Sequence, residues 1–184
     1  MTDTGVVHGR FQVFHLDHLK YILAAKERCR HLIVGITNPD PTLTRLDPAD
    51  PYRSSPEANP LTYFERYMVV SRVLLAEGFE QGNFSVVPFP VNFPDLYRYY
   101  LPLDATFYLT IYDDWGRRKF ELFKSLGLKI ELLWEKPLQQ KGISASDVRK
   151  RIMAGKTWED MVPAAAADAM NSLGIPDRIR SSEH

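Results

Sequence analysis

Gly9-Arg10-Phe11-Gln12-Val13-Phe14-His15-Leu16-Asp17-His18, entered from the short apolar pair Val6-Val7, is the stretch whose reading decides the fold. Leu19, Ile22 and Leu23 follow at i, i+3 and i+4, the spacing of one helix face. Strand, turn and helix N-terminus in that order make an anion site. The first backbone N–H groups of a helix lack intrahelical partners, and the helix dipole adds partial positive charge there. Gly9 lets the backbone come close, while Arg10 and two imidazoles add donors. The stretch reads as a phosphate-handling turn.

Outward from it, strand and helix patterns alternate. His18 to about Arg28 reads as a helix and His31–Ile36 as a buried strand, which with Val6-Val7 forms a right-handed βαβ unit with a parallel sheet. Residues 38–60 carry six prolines (39, 41, 48, 51, 56 and 60) and oppose both helix and central strand. Such a loop insertion is either a substrate lid or a surface excursion. Thr62 and Glu65 have capping-box spacing, Tyr67, Val70 and Leu74 continue an apolar stripe, and Gly78 suits the stop. Phe84–Phe89, Thr106–Ile111 and Lys129–Trp134 read as further strands, Pro94–Leu101 as a short tyrosine-rich helix, and Asp114–Leu126 as a helix ending at Gly127. Beyond Gly142 the pattern turns helical. Ser144 with Asp147 caps one helix, Thr157 another, and Pro163 falls where a first helical residue belongs. The expected architecture is α/β: a Rossmann-like, doubly wound parallel sheet of about five strands. Residues 1–184 form a single domain, with the helical C-terminal part at 144–184.

The chain has 184 residues, 45% apolar and 25% charged, which is ordinary globular composition. With 23 basic and 23 acidic residues the formal charge is zero, which argues against binding nucleic acid by bulk electrostatics. The single cysteine, Cys29, excludes an intramolecular disulfide and fits a reducing compartment. It falls inside the first helical pattern and reads as an inert, partly buried thiol. No apolar run reaches membrane-spanning length and Met1–Thr4 lacks a signal peptide's basic and apolar regions, so a cytoplasmic protein without membrane contact is expected.

Three readings are open for His15 and His18 on spacing alone: metal ligands, structural caps, or imidazoles aimed at a polyphosphate. No cysteine or carboxylate cluster completes a zinc set. Gly9 and Arg10 arrive beside them at a strand end, where open α/β sheets bind ligands, and this favours the third. A second constellation stands at Gly142-Ile143-Ser144-Ala145-Ser146-Asp147-Val148-Arg149. Serine hydroxyls at a helix start with an arginine one turn in form another anion site. Capping serines are common, so its weight comes from being the second such site in one chain.

These two stretches resemble the nucleotidylyltransferase superfamily, with its His-x-Gly-His turn and its Ile-Ser-x-Thr/Ser-x-x-Arg turn. The archaeal-type nicotinamide mononucleotide adenylyltransferases are the most similar group. Their Gly-Arg-Phe-Gln-Pro-x-His-x-Gly-His corresponds to GRFQVFHLDH at 9–18, and their Asn-Pro-Phe-Thr-x-x-Glu-Arg to NPLTYFER at 59–66. ISASDVRKRIM at 143–153 and WEDMVP at 158–163 match their late motifs in order. The resemblance implies attack by a phosphate oxygen of the acceptor on the α-phosphorus of a nucleoside triphosphate, with pyrophosphate leaving. Positioning and charge neutralisation then carry the catalysis. By the same resemblance His15, His18, Arg10 and Arg149 are catalytic, and Gly9, Phe11, Gln12, Ser144 and Ser146 hold the nucleotide phosphates. Mg²⁺ accompanies the triphosphate, with no protein ligand assigned to it. Small-molecule partners are implied, ATP or CTP and a phosphorylated acceptor, along with a homo-oligomer; nucleic acid is not.

Four departures bear on the acceptor. Asp17 replaces the motif glycine, and Val13 a proline. The family's Gly-Ser-Ala-Gln-x-Ser-His-Thr element is here Gly35-Ile36-Thr37-Asn38-Pro39-Asp40-Pro41-Thr42. Where the family has Gly-Asn, this chain has Ile111-Tyr112-Asp113-Asp114-Trp115. Asp17 could serve as a helix N-cap, or meet the metal or a cationic group of the acceptor. Asn38, Asp17, Asp113 and Trp115 are therefore candidate acceptor contacts, as is Tyr97, which falls where those enzymes stack an aromatic on nicotinamide. Trp134 and Trp158 read as packing. The leading expectation is ATP plus nicotinamide mononucleotide giving NAD. The rivals are AMP or CMP transfer to another phosphate or phosphonate, and a nucleotide-binding regulator without catalysis.

Overall fold

The computed structural model describes residues 1–46 and 54–181. Five strands, β1 (Thr2–Gly9), β2 (Cys29–Thr37), β3 (Phe84–Phe89), β4 (Thr106–Ile111) and β5 (Lys129–Glu135), form one parallel sheet in the order β3-β2-β1-β4-β5. The helices are α1 (Leu16–Lys26), α2 (Tyr63–Ala76), α3 (Asp114–Ser125), α4 (Ala145–Met153), α5 (Ala164–Ser172) and α6 (Ile175–Ser181).

Side-chain alternation along the central strands sorts the core into two layers. Val7, Leu32, Val34 and Ile36 face a large cluster with Ile22 of α1, Val70 and Leu74 of α2, Ile152 of α4, Met170 of α5 and Ile179 of α6. Val6, Ile33, Phe107 and Leu109 face the other side, where Phe123 of α3, Phe89 and Tyr97 complete a smaller cluster. The sheet is thus covered on both faces, as its near-continuous apolar strands require. The chain runs from β1 outward through β2 to β3, then crosses back to β4 on the other side of β1. The gap between the ends of β1 and β4 is the switch point at which such sheets bind ligands.

Local signals explain most boundaries. The Thr62 hydroxyl accepts from the Glu65 N–H at 3.2 Å and the Glu65 carboxylate accepts from the Thr62 N–H at 2.8 Å, the expected capping box of α2. Ser144 and Asp147 do the same for α4. Gly78 and Gly127 terminate α2 and α3 with φ of +82° and +71°.

Several expectations need correction. The first helix begins at Leu16, with His15 as its N-cap, so Asp17 lies inside the helix rather than capping it. Cys29 is the first residue of β2, fully buried, with its thiol pushed up by burial. The tyrosine-rich helix is a 3₁₀ segment, Pro94–Tyr99. Thr157 caps nothing, because Trp158 precedes the 3₁₀ turn Glu159–Met161; Pro163 is the N-cap of α5 rather than its first residue. Within the loop at 38–60, residues 47–53 with Pro48 and Pro51 lie outside the described residues, as do 182–184 at the end of the helical part.

Candidate active site

Twelve of the residues singled out from sequence line one open cavity of about 390 Å³ at the switch point: Gly9, Arg10, Phe11, Gln12, His15, Asp17, His18, Asp113, Trp115, Ser144, Ser146 and Arg149. The two distant turns thus close on each other, the first leaving β1 and the second opening α4.

The first turn is held from three sides. Phe11 has φ of +52°, a left-handed conformation costing a bulky residue about 1–2 kcal/mol. That turn stacks its ring on Phe14, with centroids 5.5 Å apart, and sets it edge-on to His18 at 4.9 Å. A β-carbon at position 9 would stand 3.0 Å from the Phe11 ring, which is why a glycine precedes it. The Gln12 side chain is a latch: its amide donates to the Leu61 carbonyl at 2.9 Å and its oxygen accepts from the Leu61 N–H at 2.8 Å. Arg66, fully buried, donates to the carbonyls of Arg10, Thr37 and Asn38 at 3.0, 2.7 and 2.8 Å. The NPLTYFER segment is therefore the brace of the turn. Arg149 reaches across from α4 to donate to the Gln12 carbonyl.

His15 and His18 stack with ring centroids 3.6 Å apart and 24° between planes. The His15 backbone N–H donates to His18 Nδ1 at 3.3 Å, so the His18 proton resides on Nε2 and can be given to a ligand. Burial, reinforced by Lys141, holds His15 down to about 4, with Asp147 opposing. Burial, then His15, Arg10 and Lys141, hold His18 well below its ordinary value. At neutral pH both rings are neutral hydrogen-bonding groups.

Sequence reasoning missed several lining residues. Lys119 follows Trp115 by four positions on α3 and sets its ammonium 4.2 Å from that ring's centroid. Lys141 comes just before the second turn and pairs with Asp113 at 3.6 Å. Helical spacing could have flagged the first and adjacency to Gly142 the second. Tyr112 and Trp134, joined by an indole N–H to hydroxyl bond of 2.7 Å, line the cavity with Trp115. Trp134, read as packing, thus also faces the site. His8 lines it too.

Two candidates fall elsewhere. Tyr97 is 1% exposed, packed on Phe89 and Phe123, with its hydroxyl donating to the Val91 carbonyl at 2.6 Å; it cannot stack on a ligand in the cavity. Asn38 is buried, with φ of +48°, and lines a second cavity of about 310 Å³ under the proline-rich loop, its carbonyl taken by Arg66.

Phosphate-sized donors thus converge from two helix starts, with arginines, lysines and neutral imidazoles around them. The sequence matches the cytidylyltransferase-like family over residues 6–151. The chain belongs to that family. This nucleotidylyltransferase is 47% identical over 181 residues to the phosphonoformate cytidylyltransferase of Streptomyces viridochromogenes, covering 98% of this chain and 97% of the relative. The nicotinamide-nucleotide adenylyltransferase of Pyrococcus horikoshii is a more distant homologue, 26% identical over 179 residues, with 96% and 87% covered. Among solved structures, a bifunctional NMN adenylyltransferase/ADP ribose pyrophosphatase from Francisella tularensis shares the fold with a TM-score of 0.63 and 14% identity. The match covers 98% of this chain and 53% of that longer protein. No helix among the described residues is long and apolar enough to cross a membrane.

Proposed function

We propose that the protein transfers CMP from CTP to a small phosphonate and releases pyrophosphate. The observation that carries this reading is the 47% identity, end to end, with a phosphonoformate cytidylyltransferase, against 26% for the adenylyltransferase. The burial of Tyr97 weighs the same way, since it removes the proposed stacking partner of nicotinamide. In the reaction a phosphonate oxygen attacks the α-phosphorus of CTP, a new P–O–P bond forms, and the α–β anhydride bond breaks with its electron pair leaving on pyrophosphate.

His18 Nε2–H and His15 donate to phosphate oxygens as neutral groups. The Ser144 hydroxyl is given to the Asp147 carboxylate at 2.6 Å and serves as the helix cap, while Arg10, Ser146 and the N-terminus of α4 hold the leaving phosphates. Arg149 acts on them and on the turn at once, because its guanidinium also fixes the Gln12 carbonyl. Tyr112, Trp115 and Trp134 supply flat apolar surface for the base. Among the described residues no group of three His, Cys, Asp or Glu side chains could hold a metal, and the carboxylates lining the cavity are Asp17 and Asp113. That donor set offers no closed metal site and fits Mg²⁺ held by the triphosphate itself. Bound there, the ion would neutralise phosphate charge.

Pyrophosphate release from each of the four triphosphates, paired with phosphonoformate, nicotinamide mononucleotide and other phosphorylated acceptors, tests the reading. Release from CTP with a phosphonate supports it. Release confined to ATP with nicotinamide mononucleotide, or none with any pair, refutes it, the last favouring a nucleotide-binding regulator.

A further inference from the structure

His8 stands on β1 one residue before Gly9, in the wall of the cavity and 5% exposed. Alternation sends its ring to the α3 face of the sheet, 5.5 Å from Phe89 and 5.4 Å from Phe123 between centroids. Neither Nδ1 nor Nε2 has a hydrogen-bond partner. Burial, with the Lys119 charge adding to it, keeps the imidazole neutral, so it carries one N–H donor and one acceptor. An apolar side chain would fill this slot between two phenylalanines without burying two unmet polar atoms. Packing alone does not account for a histidine here.

Its position along the sheet indicates what it meets. The flat aromatic surface, Tyr112, Trp115 and Trp134, lies at the β4–β5 end of the cavity and suits the base. His8 lies on the central strand β1, its ring between Phe89 of β3 and Phe123 near the far end of α3, whereas Tyr112 and Trp134 stand at the ends of β4 and β5. The space by His8 therefore belongs to the acceptor. An N–H donor in that space suits an anion.

We propose that His8 receives the second acidic group of the acceptor, its N–H donating to a carboxylate oxygen, and so selects carboxylated phosphonates over plain ones. This rests on the reading of the reaction as transfer to a phosphonate. It makes His8 a specificity-determining residue that the shared motifs do not include.

The test is steady-state kinetics of the whole protein and of His8→Phe and His8→Asn, with CTP and either phosphonoformate or methylphosphonate. For His8→Phe, KM for phosphonoformate should rise about tenfold or more, as loss of a hydrogen bond to a charged group implies, while KM for CTP stays within about twofold. The preference for phosphonoformate over methylphosphonate should collapse, and His8→Asn, which keeps a donor, should recover part of it. If His8→Phe does not fold, His8→Asn against the parent protein carries the comparison, with a smaller rise in the same KM. A rise in KM for CTP instead, or no change in either, overturns the proposal while leaving CMP transfer intact. A parent protein that makes no product from either phosphonate removes the reading of the reaction and this proposal with it.

Discussion

A β-carbon built on Gly142 would fall on the carboxylate of Asp17, with Asp17 Cγ and Oδ1 both 3.2 Å away. The motif glycine between the two histidines has become an aspartate, and the facing turn has a glycine in the space that its carboxylate needs. The two positions behave as one choice. Gly142→Ala should lower kcat/KM by about tenfold or more, because it drives a wedge between the two phosphate-handling turns. Adding Asp17→Gly should recover most of that loss, and a double-mutant cycle measured by pyrophosphate release checks it. Additive effects would mean that the pair does not share its space.

His18→Ala removes a donor whose proton is fixed on Nε2 by the His15 backbone N–H. Turnover should fall by about 10²–10³, the cost of one preorganised donor, or roughly 3 kcal/mol of barrier. The ring packs on Phe11 and Phe14 of the large core cluster, so the fold should be kept with some loss of thermal midpoint. A variant that keeps normal turnover contradicts the role given to the histidine pair.

Buried neutral histidines make the fold acid-sensitive. For His8, His15 and His18 the folded pKa lies below the ordinary value of 6.5, so the unfolded chain takes up protons first as pH falls. Their contribution to stability is complete above about pH 6.5 and declines as pH falls toward the folded values, about 4 for His15. Each costs up to about 1.4 kcal/mol per pH unit crossed in that window. Urea midpoints should drop between pH 7 and pH 5, and drop less in His8→Phe. A midpoint that rises on acidification would reverse the sign.

Arg66 braces three carbonyls from the ends of β1 and β2 and the loop beyond. Arg66→Met strips all three of a buried donor and should destabilise the protein by about 3 kcal/mol or more. Burial draws this guanidinium down to about 10, so it stays charged at neutral pH and salt should rescue little. Urea unfolding at two ionic strengths measures both points.

How far the sequence carried depends on where each signal resided. Phe84–Phe89 and Thr106–Ile111 were legible to the residue because apolar runs and turn formers bound them locally. The capping boxes at Thr62 and Ser144 were legible because each is a contact over three positions. The same local reading misplaced Cys29, since the helical stripe runs on past the residue at which the chain turns into β2. Tyr97 was misread because exposure of an aromatic is decided by tertiary packing, here against Phe89 and Phe123. Lys119 and His8 escaped notice for the converse reason. Each stands in an ordinary helix or strand, and only the crossing from β3 back to β4 brings α3 over the end of β1.

The central claim is that CMP is joined to a phosphonate, and ³¹P NMR of the protein incubated with CTP, Mg²⁺ and phosphonoformate tests it most directly. The account predicts loss of the phosphonoformate singlet, a pair of mutually coupled doublets from one phosphonate and one phosphate phosphorus, and free pyrophosphate in equal amount. An unchanged phosphonoformate singlet with CTP, alongside conversion of ATP and nicotinamide mononucleotide to NAD by the same preparation, would contradict it.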